Sequence, residues 1–162
     1  MTKPISILMG SESDLETVQE TVNVLKSFNV GFDIKVLSAH RTPKEVASYV
    51  EDAPKKGTKV FIAAAGMSAA LAGVVAAHTT LPVIGIPIET KNLKGIDSLL
   101  STVQMPPGIP VACMAIGKAG AKNAALFALE ILGVADKKIS VKLSKHKKEM
   151  KCKVLKTHVK VS

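Results

Sequence analysis

Ile5-Ser6-Ile7-Leu8-Met9 runs directly into Gly10-Ser11-Glu12-Ser13-Asp14, and that polar stretch into a helical period of Leu15, Val18, Val22 and Leu25. Read in order, these are a buried strand, a turn and an amphipathic helix. The pattern recurs twice. Phe32 to Leu37 reads as a strand, Ser38 to Pro43 as a turn, and Val46, Tyr49 and Val50 as one helix face. Val60 to Ala65 then reads as a strand, Gly66 to Ser68 as a turn, and Ala69 to Ala77 as a helix of small residues. Val83 to Ile88 and Val111 to Ile116 supply two more apolar strands bounded by Pro or Gly, and Ala119 to Leu132 a further helix. Strands that are apolar throughout are expected in a sheet covered on both faces, and crossover helices make such a sheet parallel. The expected fold is therefore α/β: a three-layer α/β/α sandwich around a five-stranded parallel sheet, flavodoxin-like.

Composition agrees with one such domain. The chain has 162 residues, 47% hydrophobic, 22% charged and only 3% aromatic, so disorder is excluded and the core must be aliphatic. Of the net charge of +9, Asp136 to Ser162 carries +8, since ten of its residues are Lys and only Asp136 and Glu149 oppose them. The division expected is a single α/β domain over 1–135 and a basic tail over 136–162. Within the tail, Ile139, Leu143, Met150, Val154 and Leu155 recur at loosely helical spacing, which fits either a docked amphipathic helix or a flexible arm. A nearly neutral body argues against a nucleic-acid-binding face. Salt-sensitive binding through the tail is the reading that would rescue one. Cys113 and Cys152 form no disulfide framework or metal knuckle and fit a reducing, cytoplasmic setting, and Ile5 to Met9 is too short for a signal peptide. Val60 to Ile88 carries no charge, but its Ala, Gly and Pro content suits a tight interior rather than a membrane span.

In parallel sheets ligands bind beyond the carboxyl ends of the strands, which directs attention to the three polar turns. Gly10, Ser11, Ser13 and Asp14 stand where free N–H groups and the helix dipole favour an anion such as phosphate. Ser13 or Asp14 would equally cap that helix in any protein. There is neither a GxGxxG nor a GxxxxGK[ST] loop, which disfavours a dinucleotide or triphosphate. The second turn sets Ser38 and Ala39 beside His40, a group that exchanges protons near neutral pH, and Arg41, whose fork suits a phosphate. The third turn, Ala65, Gly66, Met67 and Ser68 before Leu71, has no ionisable side chain, so its N–H groups and small residues can hold a flat, neutral group or simply pack helix on sheet. His78 reads as a structural helix-end residue, and Gln104 to Gly108 as a loop that either lines a pocket or does not.

The three turns together resemble the aminoimidazole ribonucleotide carboxylase family of purine synthesis. The likeness rests on Gly-Ser-x-Ser-Asp at Gly10 to Asp14, Ser-Ala-His-Arg-Thr-Pro at Ser38 to Pro43, and Ala65-Gly66 before the small-residue helix. Pro82 to Pro87 and Ser98 to Pro106 extend it, so that it spans about Ile5 to Leu132. Within the family, the carboxyaminoimidazole ribonucleotide mutases carry Ala-Gly-Gly-Ala-Ala-His-Leu-Pro-Gly in the third turn. Here Ala70 stands at the His position and Ala72 at the Pro position, while Gly66-Met67-Ser68 is similar to the Gly-x-Ser of the carboxylases that use carbon dioxide. Thr80, Pro82, Val83 and Ile84 lean the same way; His78, Gly85 and Gln104-Met105-Pro106 lean toward the other branch.

The resemblance implies a carboxy-lyase that carboxylates 5-aminoimidazole ribonucleotide at C4, with the mutase as the alternative and a non-catalytic flavodoxin-like nucleotide-binding module as a further one. It implies His40 as proton shuttle, and Arg41, Ser11 and Ser13 on the 5′-phosphate. Asp14 falls on the ribose, Ser38 and Ala39 on the same wall, and Ala65, Gly66 and Ser68 around the carbon dioxide, with Gly10, Met67 and Leu71 also in the substrate site. Carbon dioxide is the co-substrate, with no metal, ATP or biotin. The family also forms homo-octamers whose sites are completed by neighbouring subunits, and no nucleic acid or membrane partner is expected.

Overall fold

A computed structural model describes residues 3–157. Five strands, β1 (Ile5–Met9), β2 (Phe32–Val36), β3 (Val60–Ala65), β4 (Val83–Pro87) and β5 (Ala112–Cys113), form one parallel sheet in the order β2-β1-β3-β4-β5. Helices α1 (Leu15–Ser27), α2 (Pro43–Asp52), α3 (Leu71–Ala77), α4 (Ile96–Val103), α5 (Gly117–Gly133) and α6 (Lys137–Leu155) follow the strands in turn. This is the flavodoxin-like sandwich expected from the sequence.

Successive side chains on a strand face opposite ways, and the core divides accordingly. Ile5, Ile7 and Met9 join Ile62, Ile84 and Ile86 under α1 and α5, where Val18, Leu25, Ala121, Ala125 and Leu129 are buried. On the other face Leu8, Phe61 and Ala63 meet Val46 and Val50 of α2 and Leu71 and Val75 of α3. The alanines at 121, 124, 125 and 128 are fully buried and let α5 lie close to the sheet.

Three expectations are corrected. Burial on both faces holds for β1, β3 and β4, whereas β2 is an edge strand with Val36 half-exposed. Of Val111 to Ile116, only Ala112 and Cys113 form a strand, at the other edge of the sheet, because the chain leaves β5 after Cys113 and enters α5 at Gly117. The small-residue helix starts at Leu71, since Met67 to Ala70 is taken up by a tight turn in which Ala69 and Ala70 N–H donate to Met67 and Ser68 carbonyls.

The basic tail is helical as far as Leu155, and residues 158–162 lie outside the described residues. Asp136 caps α6 by accepting from the N–H groups of Lys138 and Ile139. Leu143 is buried, Lys142 donates to the Phe28 carbonyl, Lys147 pairs with Glu130, and the His146 ring meets Phe28 edge-on. Farther out, Met150, Val154 and Leu155 are exposed. The helix thus docks by its inner half alone. Among the described residues no helix is long and apolar enough to cross a membrane, and the run from Val60 to Ile88 is instead divided between β3, α3 and β4.

Candidate functional site

The carboxyl ends of β1, β2 and β3 open onto a cleft of about 1200 Å³, and every site residue expected from the sequence lines it. Gly10 and Ser11 leave β1 and lead into a single 3-10 turn at Glu12–Asp14. Ser11 and Asp14 form a reciprocal capping box: Ser11 Oγ accepts from Ser13 N–H, and Asp14 Oδ2 accepts from Ser11 N–H at 3.2 Å. Ser13 Oγ donates to Ser11 Oγ at 2.9 Å. Burial pushes the Asp14 carboxyl above its usual range, opposed by the Ser11 N–H, the Ser13 hydroxyl and the Arg41 charge.

The second turn is closed on itself. Thr42 Oγ1 accepts from Ser38 N–H at 2.8 Å and donates to the Ser38 carbonyl, and Pro43 begins α2 with its fixed φ. Arg41 Nη2 donates to the Gly10 carbonyl at 2.6 Å and Nε to Ser38 Oγ at 3.3 Å, so the guanidinium ties the second turn to the first. His40 is exposed at the cleft and, among the described residues, its ring makes no side-chain hydrogen bond. It is free to meet a ligand.

The third turn faces these groups with no charge of its own. Met67 sits in the left-handed region at φ 59 and is 70% exposed. For a residue with a side chain that is uncommon, and such strain concentrates at functional sites. Among the described residues the N–H groups of Gly66, Met67 and Ser68 donate to no protein acceptor. They are therefore available to an anion or a developing carboxylate. Ala70, at the position discussed above, lines the same wall.

The cleft has a further wall that the sequence reading passed over. Ile88, Glu89, Thr90, Lys91, Asn92 and Leu93 follow β4, and Asp97 and Ser101 project from α4. The signal was present, because a polar turn after an apolar parallel strand is the same cue that marked the first three. Gln104 to Gly108 is absent from the lining, and His78 caps α3 with Nδ1 3.1 Å from Glu51 Oε1, a structural position as expected. Among the described residues no three His, Cys, Asp or Glu side chains gather as a metal site.

The profile of the family described as AIR carboxylase matches residues 4–153. The chain belongs to that family. It is an enzyme family of purine biosynthesis, and the match takes in all three turns and the β4 loop. A protein of Saccharolobus solfataricus named N5-carboxyaminoimidazole ribonucleotide mutase is 50% identical over 155 residues, covering 96% of this chain and 97% of that one. A phosphoribosylaminoimidazole carboxylase of Ogataea methanolica is 54% identical over 136 residues, covering 83% of this chain but 25% of that protein. Among solved structures, Treponema denticola PurE superposes with a TM-score of 0.85 at 31% identity, covering 93% of each chain. The family expectation is thereby met. The finer expectation, that the chain stands nearer the carbon-dioxide-using branch, is not supported by the name of the relative matched end to end.

Proposed function

We propose that the cleft isomerises N5-carboxyaminoimidazole ribonucleotide to 4-carboxy-5-aminoimidazole ribonucleotide. The observation that carries this reading, in preference to the direct carboxylation expected from Ala70, is the 50% identity along nearly the whole of both chains to a protein of that name. In this reading Arg41, Ser11 and Ser13 hold the 5′-phosphate and Asp14 the ribose hydroxyls, which fixes the ring against the third turn. The bond from N5 to the carboxyl carbon breaks, leaving its electron pair on N5, and protonated His40 supplies the proton that makes the amine. Carbon dioxide stays between the ring and the free N–H groups of Gly66, Met67 and Ser68. C4, made nucleophilic by the adjacent amine, attacks it. The neutral His40 imidazole then removes the C4 proton and restores aromaticity. The proton lost by C4 replaces the one given to N5, so a single shuttle closes the cycle without ATP, biotin or metal.

Direct carboxylation of aminoimidazole ribonucleotide is the second reading. It is favoured by Ala70 and by the Gly66-Met67-Ser68 turn, and uses the later half of the same steps. Under either reading we infer a homo-octamer, supported by the apolar side chains that α4 turns outward beside the cleft: Ile96, Leu100 and Val103 are each about half exposed. A monomer by sedimentation at micromolar concentration would remove that inference.

An isotope experiment separates the two chemistries. N5-carboxyaminoimidazole ribonucleotide labelled in the carboxyl group is converted in excess unlabelled bicarbonate. Isomerisation keeps the label in the product, whereas loss of label to the bicarbonate pool, with turnover of the uncarboxylated ribonucleotide alone, would establish the carboxylase.

A further inference from the structure

The carboxyl group being transferred is an anion on the substrate and again on the product, and an anion taken from water into a cleft needs a cation or several donors. The third turn offers N–H groups but, from Ala65 to Leu71, no ionisable side chain. Arg41 is tied to Gly10 and Ser38 at the phosphate side. Among the described residues, the remaining permanent cation lining the cleft is Lys91. We infer that Lys91 is the residue that holds the migrating carboxyl group, an inference that rests on the family reaction proposed above.

Its placement supports the role. Ile88 N–H donates to the Ala65 carbonyl at 2.9 Å, and a Cβ on Gly66 would lie 3.5 to 3.7 Å from Ile88 and Thr90, so the β4 loop and the third turn are in contact. Lys91 is the next residue along. Its loop is pinned, because Thr90 Oγ1 donates to Asp97 at 2.9 Å and accepts from Gly95 N–H at 3.2 Å.

Nor is its charge spent on the neighbouring acids. Asp97 accepts from the Thr90 hydroxyl, and Glu89, which lines the same cleft, forms no ion pair with Lys91 among the described residues. Among the described residues Lys91 makes no ion pair or side-chain hydrogen bond within the protein. A compact ammonium on a flexible stem also suits a group that shifts from N5 to C4 better than a rigid guanidinium fork would.

Equilibrium titration of the full-length protein with two ribonucleotides tests this. One is 5-aminoimidazole ribonucleotide, which has no carboxyl group, and the other its 4-carboxylated derivative. In Lys91→Met the carboxylated compound should bind about tenfold more weakly while the uncarboxylated one stays within about twofold, as expected for one lost charge-assisted contact. Lys91→Arg should recover part of the loss, and Lys94→Met, outside the cleft lining, should lose none. Equal loss for both compounds, or none for either, overturns the role of Lys91 and leaves the reaction standing. Failure of the wild-type protein to bind either compound overturns the reaction and this inference with it.

Discussion

Arg41 Nη2 donates to the Gly10 carbonyl at 2.6 Å, joining the turn after β2 to the turn after β1 across the edge of the sheet. The two turns proposed to hold the phosphate are therefore tied to one another before any ligand arrives. Part of the guanidinium is spent on the protein and the rest faces the cleft. Lys at this position keeps the charge and loses the fork that reaches Gly10 and Ser38 together. Arg41→Lys should raise KM for the ribonucleotide about tenfold with a smaller change in kcat, and Arg41→Met should raise it further. Steady-state kinetics of both variants checks this, and an unchanged KM in Arg41→Met would remove Arg41 from the phosphate.

His40 is held at the same rim but has no protein partner for its ring among the described residues, which suits a proton shuttle better than a structural imidazole. His40→Asn should retain affinity for 5-aminoimidazole ribonucleotide within about twofold while kcat falls by about 10² to 10⁴. Titration and turnover on the same preparation separate the two effects. Activity within a few-fold of wild type would sink the assignment.

Asp14 gives the site a pH signature. Its carboxyl is raised chiefly by burial, so the folded protein holds that proton more tightly than the unfolded chain does. The stabilising contribution of Asp14 is then fully present below the ordinary carboxylate pKa and is lost as pH rises through the raised folded value. Asp14→Asn keeps an oxygen for the Ser11 N–H and has nothing to ionise. The stability of the variant relative to wild type should climb across that window and level off above it, read from urea midpoints between about pH 3 and 8. A difference that stays flat would show that the Ser11, Ser13 and Arg41 contacts balance burial, and one that falls with rising pH that they outweigh it.

Most of this site could be read before the fold was seen because each of the first three strands leads directly into a turn rich in Gly, Ser or other polar residues. The sheet places all such turns at one edge. The fourth turn has the same form, but Glu89 to Leu93 contains no His-Arg pair or helix-capping pattern to draw attention, and its importance comes only from lying against Gly66. Helix α4 was hidden for a different reason. Its burial is inverted: Ser98 and Thr102 are buried, whereas Ile96, Leu100 and Val103 face outward, so apolar periodicity points to the wrong side. For α6 the periodic residues are real, yet only Ile139 and Leu143 find a surface, and no pattern within the helix reveals where the underlying body ends.

The inverted packing of α4 rests on Gly85. A Cβ there would overlap Thr102 Cγ2 and stand 3.2 Å from Val111 Cγ1, so the helix can approach β4 only over a bare backbone. Gly85→Ala should cost about 2 to 3 kcal/mol as an overpacking change. Thr102→Ser removes the obstructing methyl and keeps the hydroxyl that donates to the Ser98 carbonyl. The double variant should therefore recover a large part of the loss, giving a coupling of about 1 kcal/mol or more in a double-mutant cycle. Additive losses would mean that the helix is held off by something other than Thr102.

Docking of α6 by its inner half makes a contrast along one helix. Leu143 is 8% exposed and sits with Leu132 and Phe28 in the core under α1 and α5, while Val154 is 72% exposed. Truncating a buried leucine to alanine removes both its transfer energy and its packing, at a cost of about 2 kcal/mol or more. Truncating an exposed valine should change stability by less than about 0.5 kcal/mol. Leu143→Ala should thus lower the denaturation midpoint clearly and Val154→Ala scarcely at all, with turnover preserved in both because neither residue lines the cleft. The experiment is run at protein concentrations spanning the sedimentation range, since a neighbouring copy seated on the outer half would bury Val154. In that case the Val154→Ala penalty would grow with concentration, and the outer lysines would belong to a subunit contact instead of to solvent.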